Sequence, residues 1–188
     1  DDAIAPNSGF PPHPHRDMEI ITYVREGAIS HRDSLGNSGR TEAGDVQVMS
    51  AGSGIQHSEY NLESETTRLF QIWIFPDVRG GTPSWGTRPF PKSDRAGRFV
   101  TLASGMRGDE DALPIRTNAR VAGATIKAGE SVKYATASER HAYLVPATGR
   151  IRVDGVEANA RDGVAITGVD SFTINALEDS EIVLVDAV

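Results

Sequence analysis

Short runs of β-branched and aromatic residues follow one another closely along the chain, separated by clusters of Gly, Pro, Asp and Asn. Strands are predicted at MEIITYV, GAISHRD, DVQVMSA, TRLFQIWIF, GRFVTLAS, RVAGATI, SVKYAT, HAYLVPA, GRIRVDG, GVAITG, FTINAL and EIVLVDA. With 19 Gly and 10 Pro between them, these runs favour a sandwich or barrel over βαβ units. No segment sustains a helical period with caps, so helix is expected only in short pieces, near DEDAL (109–113).

The pattern repeats. EIITYVREGAISHRD followed by RTEAGDVQVMSAGSG is matched by RHAYLVPATGRIRVDG followed by VEANARDGVAITGVD. Each copy has a strand, a Gly turn, a second strand, a polar loop and a Gly/Asp step into a third strand. Two β domains in tandem account for this. They are placed at 1–85 and 86–188, with the Pro- and Gly-rich stretch 76–91 as the connection.

The bulk numbers narrow the chemistry. The chain has 188 residues, 38% hydrophobic and 24% charged, enough to bury a core without staples. It contains no cysteine, which excludes disulfides, thiolate metal sites and a cysteine nucleophile. The net charge is -7, with basic residues scattered. Direct nucleic-acid contact and attachment to anionic membrane are therefore not expected. No apolar run approaches the ~18 residues of a membrane span, and no signal peptide is visible. The expected location is cytoplasmic. The chain opens at Asp1 rather than Met, so its start reads as incomplete.

Two residue pairs then stand out. His13 and His15 precede the first predicted strand, and His57 and Glu59 follow the SAGSG turn. Residues i and i+2 of an extended segment share a face. Pro14 favours an extended HPH by fixing its own φ and biasing His13 away from helix. The H-x-E pair alone is a weak signal, and the H-x-H pair a stronger one. Together they offer three imidazoles and a carboxylate, which suits a transition metal with coordination positions open to substrate or O₂.

G-x-x-x-H-x-H-x-x-x-E followed by GDVQVMSAGSGIQHSEYN is similar to the two metal motifs of the cupin superfamily. More closely, PHPHRDMEIITYVREGAISHRDSLGN and GDVQVMSAGSGIQHSEYN resemble the pirin family. The likeness is close from Ile20 to Phe75 and looser towards the C-terminus. It implies an all-β bicupin of two tandem cupin (double-stranded β-helix, or jelly-roll) barrels. The N-terminal barrel would bind one metal through His13, His15, His57 and Glu59. Glu19 stands near where many cupins place their carboxylate ligand, whereas the pirin pattern uses the Glu of H-x-E. The implied metal is Fe(II), with Cu, Ni, Mn, Co and Zn also compatible with this donor set. Pirin-like chains carry strands upstream of H-x-H, whereas twelve residues precede His13 here.

The resemblance implies a quercetin 2,3-dioxygenase-like oxidoreductase acting with O₂ on flavonol-like enols, with Glu59 as both ligand and general base. An alternative is a non-enzymatic, iron-binding, redox-responsive regulator acting through a protein partner. A third reading is a cupin with metal bound only for stability. The remaining histidines fit neither pair. His31 reads as a turn or pocket-rim residue, and His141 as structural or surface. Trp73 and Phe75 share one face of QIWIF, read first as core and alternatively as a wall for an aromatic substrate. Phe10 is a candidate pocket-lining residue.

Overall fold

A computed structural model describes residues 1–188. Apart from a single 3₁₀ turn at Lys92–Arg95, every regular element is a strand. No helix is long and apolar enough to cross a membrane. The helix expected near 109–113 is absent. Asp109 there accepts bonds from Ser104 Oγ (2.6 Å) and Arg120 Nε (2.8 Å). That ties the segment into a turn, and Pro114 follows directly. By compactness the chain divides into two units, residues 1–90 with 113–117, and residues 91–112 with 118–188.

The first unit holds β1 (Asp2–Ile4), β2 (Ser8–His15), β3 (Glu19–Glu26), β4 (Ala28–Asp33), β5 (Ser38–Glu42), β6 (Val46–Ser50), β7 (Ile55–Asn61), β8 (Thr67–Ile74) and β9 (Ser84–Arg88). They form two antiparallel sheets, ordered β1-β8-β3-β6-β9 and β2-β7-β4-β5. In β3, Ile20, Ile21, Tyr23 and Val24 are all buried. A strand apolar on both faces belongs in the middle of a sheet, and β3 lies between β8 and β6. The stretch read as a connection contributes β9, which pairs with β6 from Val46↔Arg88 to Ser50↔Ser84.

Strand β7 follows a different rule. Its residues alternate in burial, with Ile55, His57, Glu59 and Asn61 inward. Three of these four are polar. Buried polar groups are costly unless partnered, so the inward face of β7 must be matched by its neighbours. One neighbour is β2, paired His13↔His57 and His15↔Ile55, with a bulge between Phe10 and His13. Pro11 and Pro12 fall in that bulge, where a missing N–H breaks no ladder bond.

The approach of β2 to β7 depends on Gly9. A Cβ there would lie 2.1 Å from the Glu59 carbonyl oxygen and 2.6 Å from Tyr60 Cα, both backbone atoms. Gly9→Ala must therefore push the strands apart. Thermal melting is expected to show a loss of about 1–3 kcal/mol, typical of an overpacked site, with weakened metal affinity because this pairing aligns the two histidine-bearing strands. An unchanged melt and affinity would contradict this.

The second unit holds β10 (Val100–Ser104), β12 (Ala119–Ile126), β13 (Ser131–Ala135), β14 (His141–Thr148), β15 (Ile151–Val153), β16 (Val156–Ala158), β17 (Val164–Thr167), β18 (Ser171–Ala176) and β19 (Ser180–Ala187); the short β11 (Leu113–Pro114) falls in residues 113–117. The order β12-β19-β14-β17 repeats β1-β8-β3-β6, and β13-β18-β15-β16 repeats β2-β7-β4-β5. The repeat in the sequence is thus a repeated cupin topology.

That correspondence locates the second unit's equivalents of the histidine positions. Gly27 and Gly149 both turn with positive φ after matched strands. His31 is the fourth residue after Gly27 and pairs with Glu59, while Val153 is the fourth after Gly149 and pairs with Ile174. Two residues earlier stand His57 and Phe172, facing His13 and Tyr134 respectively. Val153, Ile174, Phe172 and Tyr134 all belong to one apolar cluster. The polar pocket of one barrel is packed hydrocarbon in the other.

Candidate metal centre

Three imidazoles meet on the inner face of β2 and β7. The ligating atoms of His13, His15 and His57 all lie within 4.8 Å of one another. A second group, His31, His57 and Glu59, shares His57 and meets the same limit. Glu59 therefore adjoins His57 and His31 but does not fall within that spacing of His13 and His15. Glu19 is elsewhere. It is buried and accepts from Ser50 Oγ at 2.6 Å and from the Arg116 backbone N–H at 3.2 Å.

The proton positions follow from the partners. His13 Nδ1 is 2.7 Å from the Pro11 carbonyl oxygen. A carbonyl only accepts, so Nδ1 carries the proton and Nε2 offers a lone pair. That Nε2 is 3.0 Å from His57 Nε2. Two imidazole nitrogens bound cis to one metal, each about 2.1 Å from it, lie roughly 3 Å apart. His15 Nε2 is buried with no hydrogen-bond partner, an orphaned lone-pair site directed at its neighbours. These observations fit a divalent first-row metal held by nitrogen.

Electrostatics keep the donors neutral. Burial, followed by the neighbouring His13, His31 and His15, lowers the His57 pKa to about 3. Burial and His13 lower that of His15. Metal ligation requires neutral imidazole, so these rings need lose no proton near pH 7.

Glu59 is held by two amides. Gln47 Nε2 donates to Oε1 and Gln71 Nε2 donates to Oε2, the latter at 2.6 Å. Burial pushes the Glu59 pKa up to about 7 against these bonds. The amides are themselves oriented, because Gln47 Oε1 accepts from Thr41 (3.2 Å) and Gln71 Oε1 accepts from Trp73 Nε1 (3.3 Å). Neither glutamine was singled out from sequence, although each is a polar residue set in an apolar run of a predicted strand.

His31 departs from expectation. It is 1% exposed on β4, not at a turn or rim. Its ring stacks on Trp85 with centroids 4.7 Å apart and planes 7° apart. Gly39, opposite it on β5, makes this possible, since a Cβ there would lie 2.3 Å from Trp85 Cη2. The signal in the sequence was alternation, which puts His31 on the same face as Ile29. His141 is exposed.

The aromatics also differ from the core reading. Trp73 is 53% and Phe75 75% exposed. Trp73 meets His15 edge-on, centroids 5.1 Å apart, so an open aromatic face borders the histidines. Phe10 packs against Ile4, Val24, Ile29 and Leu69, with its ring 6.4 Å from that of His13.

Comparison with known proteins agrees with this architecture. Residues 1–74 match the family model described as Pirin, and residues 101–187 one described as the quercetinase C-terminal cupin domain. A pirin-like protein of Caulobacter vibrioides is 70% identical over 187 residues, covering 100% of this chain and 81% of that protein. A quercetin 2,3-dioxygenase of Escherichia coli is 38% identical over 187 residues, covering 99% of this chain and 79% of that protein. Among solved structures, a bacterial pirin from Escherichia coli in complex with nickel(II) superposes with a TM-score of 0.90 at 36% identity, covering 98% of this chain and 79% of that one.

Proposed function

This chain belongs to the pirin family, and from that premise we propose that it is a metal-dependent dioxygenase of flavonol-like enols. The observation that carries the reading is the meeting of three imidazoles beside a buried, amide-pinned carboxylate. His13, His15 and His57 would hold the metal, with Glu59 as the fourth ligand. Fe(II) is the proposed ion. When bound, the metal supplies Lewis acidity towards an enol oxygen and a route for electrons between substrate and O₂.

The chain's own residues do the rest. Glu59, a buried carboxylate beside His57, accepts the enol proton at a carboxylate oxygen, the task of a positioned general base. Gln47 and Gln71 hold the carboxylate beside His57 and His31, and it would have to leave them in part to reach a metal held by His13 and His15. Trp73 offers an exposed ring beside His15, suited to stacking against a planar aromatic substrate. In the overall reaction both atoms of O₂ enter the opened ring and one ring carbon leaves as CO.

The test is CO release from quercetin in air by Fe(II)-loaded protein, with His57→Ala as control. CO from the wild type alone is expected. A fully metallated protein that releases none would overturn the reading. A second reading, a non-enzymatic, iron-binding, redox-responsive regulator with a protein partner, draws on Phe75 and Val78, which are 75% and 76% exposed. It gains if CO is absent.

A further inference from the structure

His13 has its own device for presenting Nε2, the Pro11 carbonyl. His57 needs one as well. It has one ring proton when neutral, and two acceptors compete for it: His13 Nε2 at 3.0 Å and His31 Nδ1 at 3.5 Å. Only the proton placed on Nδ1 leaves Nε2 free to bind a metal beside His13.

The direction of the His31 contact is set from its far side. His31 Nε2 lies 3.1 Å from Asp33 Oδ2. Asp33 also receives the backbone N–H groups of Leu35 (2.9 Å) and Asn37 (3.0 Å) and the side-chain amide of Asn37 (2.9 Å). Four donors around one carboxylate leave it no role but acceptor. His31 Nε2 must therefore be the protonated nitrogen, and in a neutral imidazole Nδ1 is then an acceptor. Stacking on Trp85, itself seated over Gly39, fixes the ring plane so that Nδ1 faces His57.

We propose that Asp33 and His31 form a hydrogen-bonded chain in which His31 Nδ1 accepts a hydrogen bond from the Nδ1–H of His57, which keeps its proton, and so commits Nε2 to the metal. His31 is thus a positioning residue and not a ligand, although it lies in a cluster with His57 and Glu59. Partners of this kind orient metal-bound imidazoles in many sites. The inference rests on His57 being a ligand, as proposed above, but not on any dioxygenase activity.

The test uses Zn(II), a diamagnetic probe, with the full chain. Zinc affinity is measured by chelator competition in wild type, His31→Phe and Asp33→Asn. Phenylalanine keeps the ring stacked on Trp85 and removes the acceptor. Asparagine keeps an oxygen for the two backbone N–H groups but can donate to His31 Nε2, which reverses the hydrogen-bonded chain. Both variants are expected to stay folded and bind zinc about 10–100-fold more weakly, the usual cost of losing such a partner. In ¹⁵N-histidine spectra of the zinc form, the wild type should show a protected, downfield His57 Nδ1–H that moves upfield in His31→Phe. Wild-type affinity and an unmoved Nδ1–H signal would overturn the hydrogen-bonded chain. If His31→Phe does not fold, Asp33→Asn decides by the same two readouts. A His57→Ala control that still binds zinc would overturn the ligand set itself, separately from the hydrogen-bonded chain.

Discussion

His57→Ala is expected to abolish stoichiometric metal binding while leaving the protein folded. His57 stands at the centre of the cluster, with its Nε2 at 3.0 Å from that of His13 and its ring centroid 5.0 Å from that of His15. It also belongs to both groups of converging donors, so no other three-donor arrangement forms without it. Of the donors that remain, His13 and His15 lie on the partly exposed β2, Glu59 converges with them in neither group, and two imidazoles alone do not make a closed site. Folding should survive because the polar face of β7 is not the hydrophobic core. In the first unit that core centres on residues such as Ile21, Tyr23, Ile29 and Leu69, and the second unit has a core of its own. Metal-to-protein ratio after loading and desalting, together with a thermal melt, checks both halves. One metal per chain retained in the variant would show that the donor set is misassigned.

The residues that made the fold legible were the β-branched runs. MEIITYV, DVQVMSA and EIVLVDA became β3, β6 and β19 because strands buried on both faces are apolar along most of their length, even where a partnered polar residue such as Gln47 interrupts the run. The elements that escaped were those with other rules. Strand β2 contains three prolines and reads as a loop, yet it is a bulged edge strand whose interrupted ladder costs little. Strand β7 turns polar residues inward, the inverse of the pattern used to find strands. Alternation by two placed His13 with His15, and His57 with Glu59, on common faces. It could not supply the cross-strand register that brings His13 opposite His57, because register is a property of two segments distant in sequence. The same limit hid His31. Its spacing along the chain matches neither pair, and only the β4–β7 pairing sets it opposite Glu59. The core reading of Trp73 failed for a related reason: alternation shows that residues share a face, not that anything covers it.

Glu59→Gln should retain metal and lose turnover, with a cost in stability that the two glutamines dictate. Both carboxylate oxygens accept from amides, Gln47 on one and Gln71 on the other. A carboxamide has only one oxygen, so its NH₂ would face another NH₂ in a site 1% exposed. Neither neighbour can flip freely. Gln71 would lose the Trp73 indole N–H at 3.3 Å, and Gln47 would lose the Thr41 hydroxyl at 3.2 Å. A buried donor left without an acceptor costs about 1–3 kcal/mol, which a melt should register. The three imidazoles persist, so metal occupancy is expected to hold. Turnover is not, because an amide cannot take the enol proton, and loss of a positioned base typically costs about 10²–10⁴-fold in rate. CO release per bound metal separates the two effects. A variant that melts lower but turns over like wild type would show that the enol arrives deprotonated or gives its proton to another group, and would leave Glu59 as a buried carboxylate held by amides. A variant that loses the metal as well would instead show that three imidazoles are too few, making the carboxylate a ligand first.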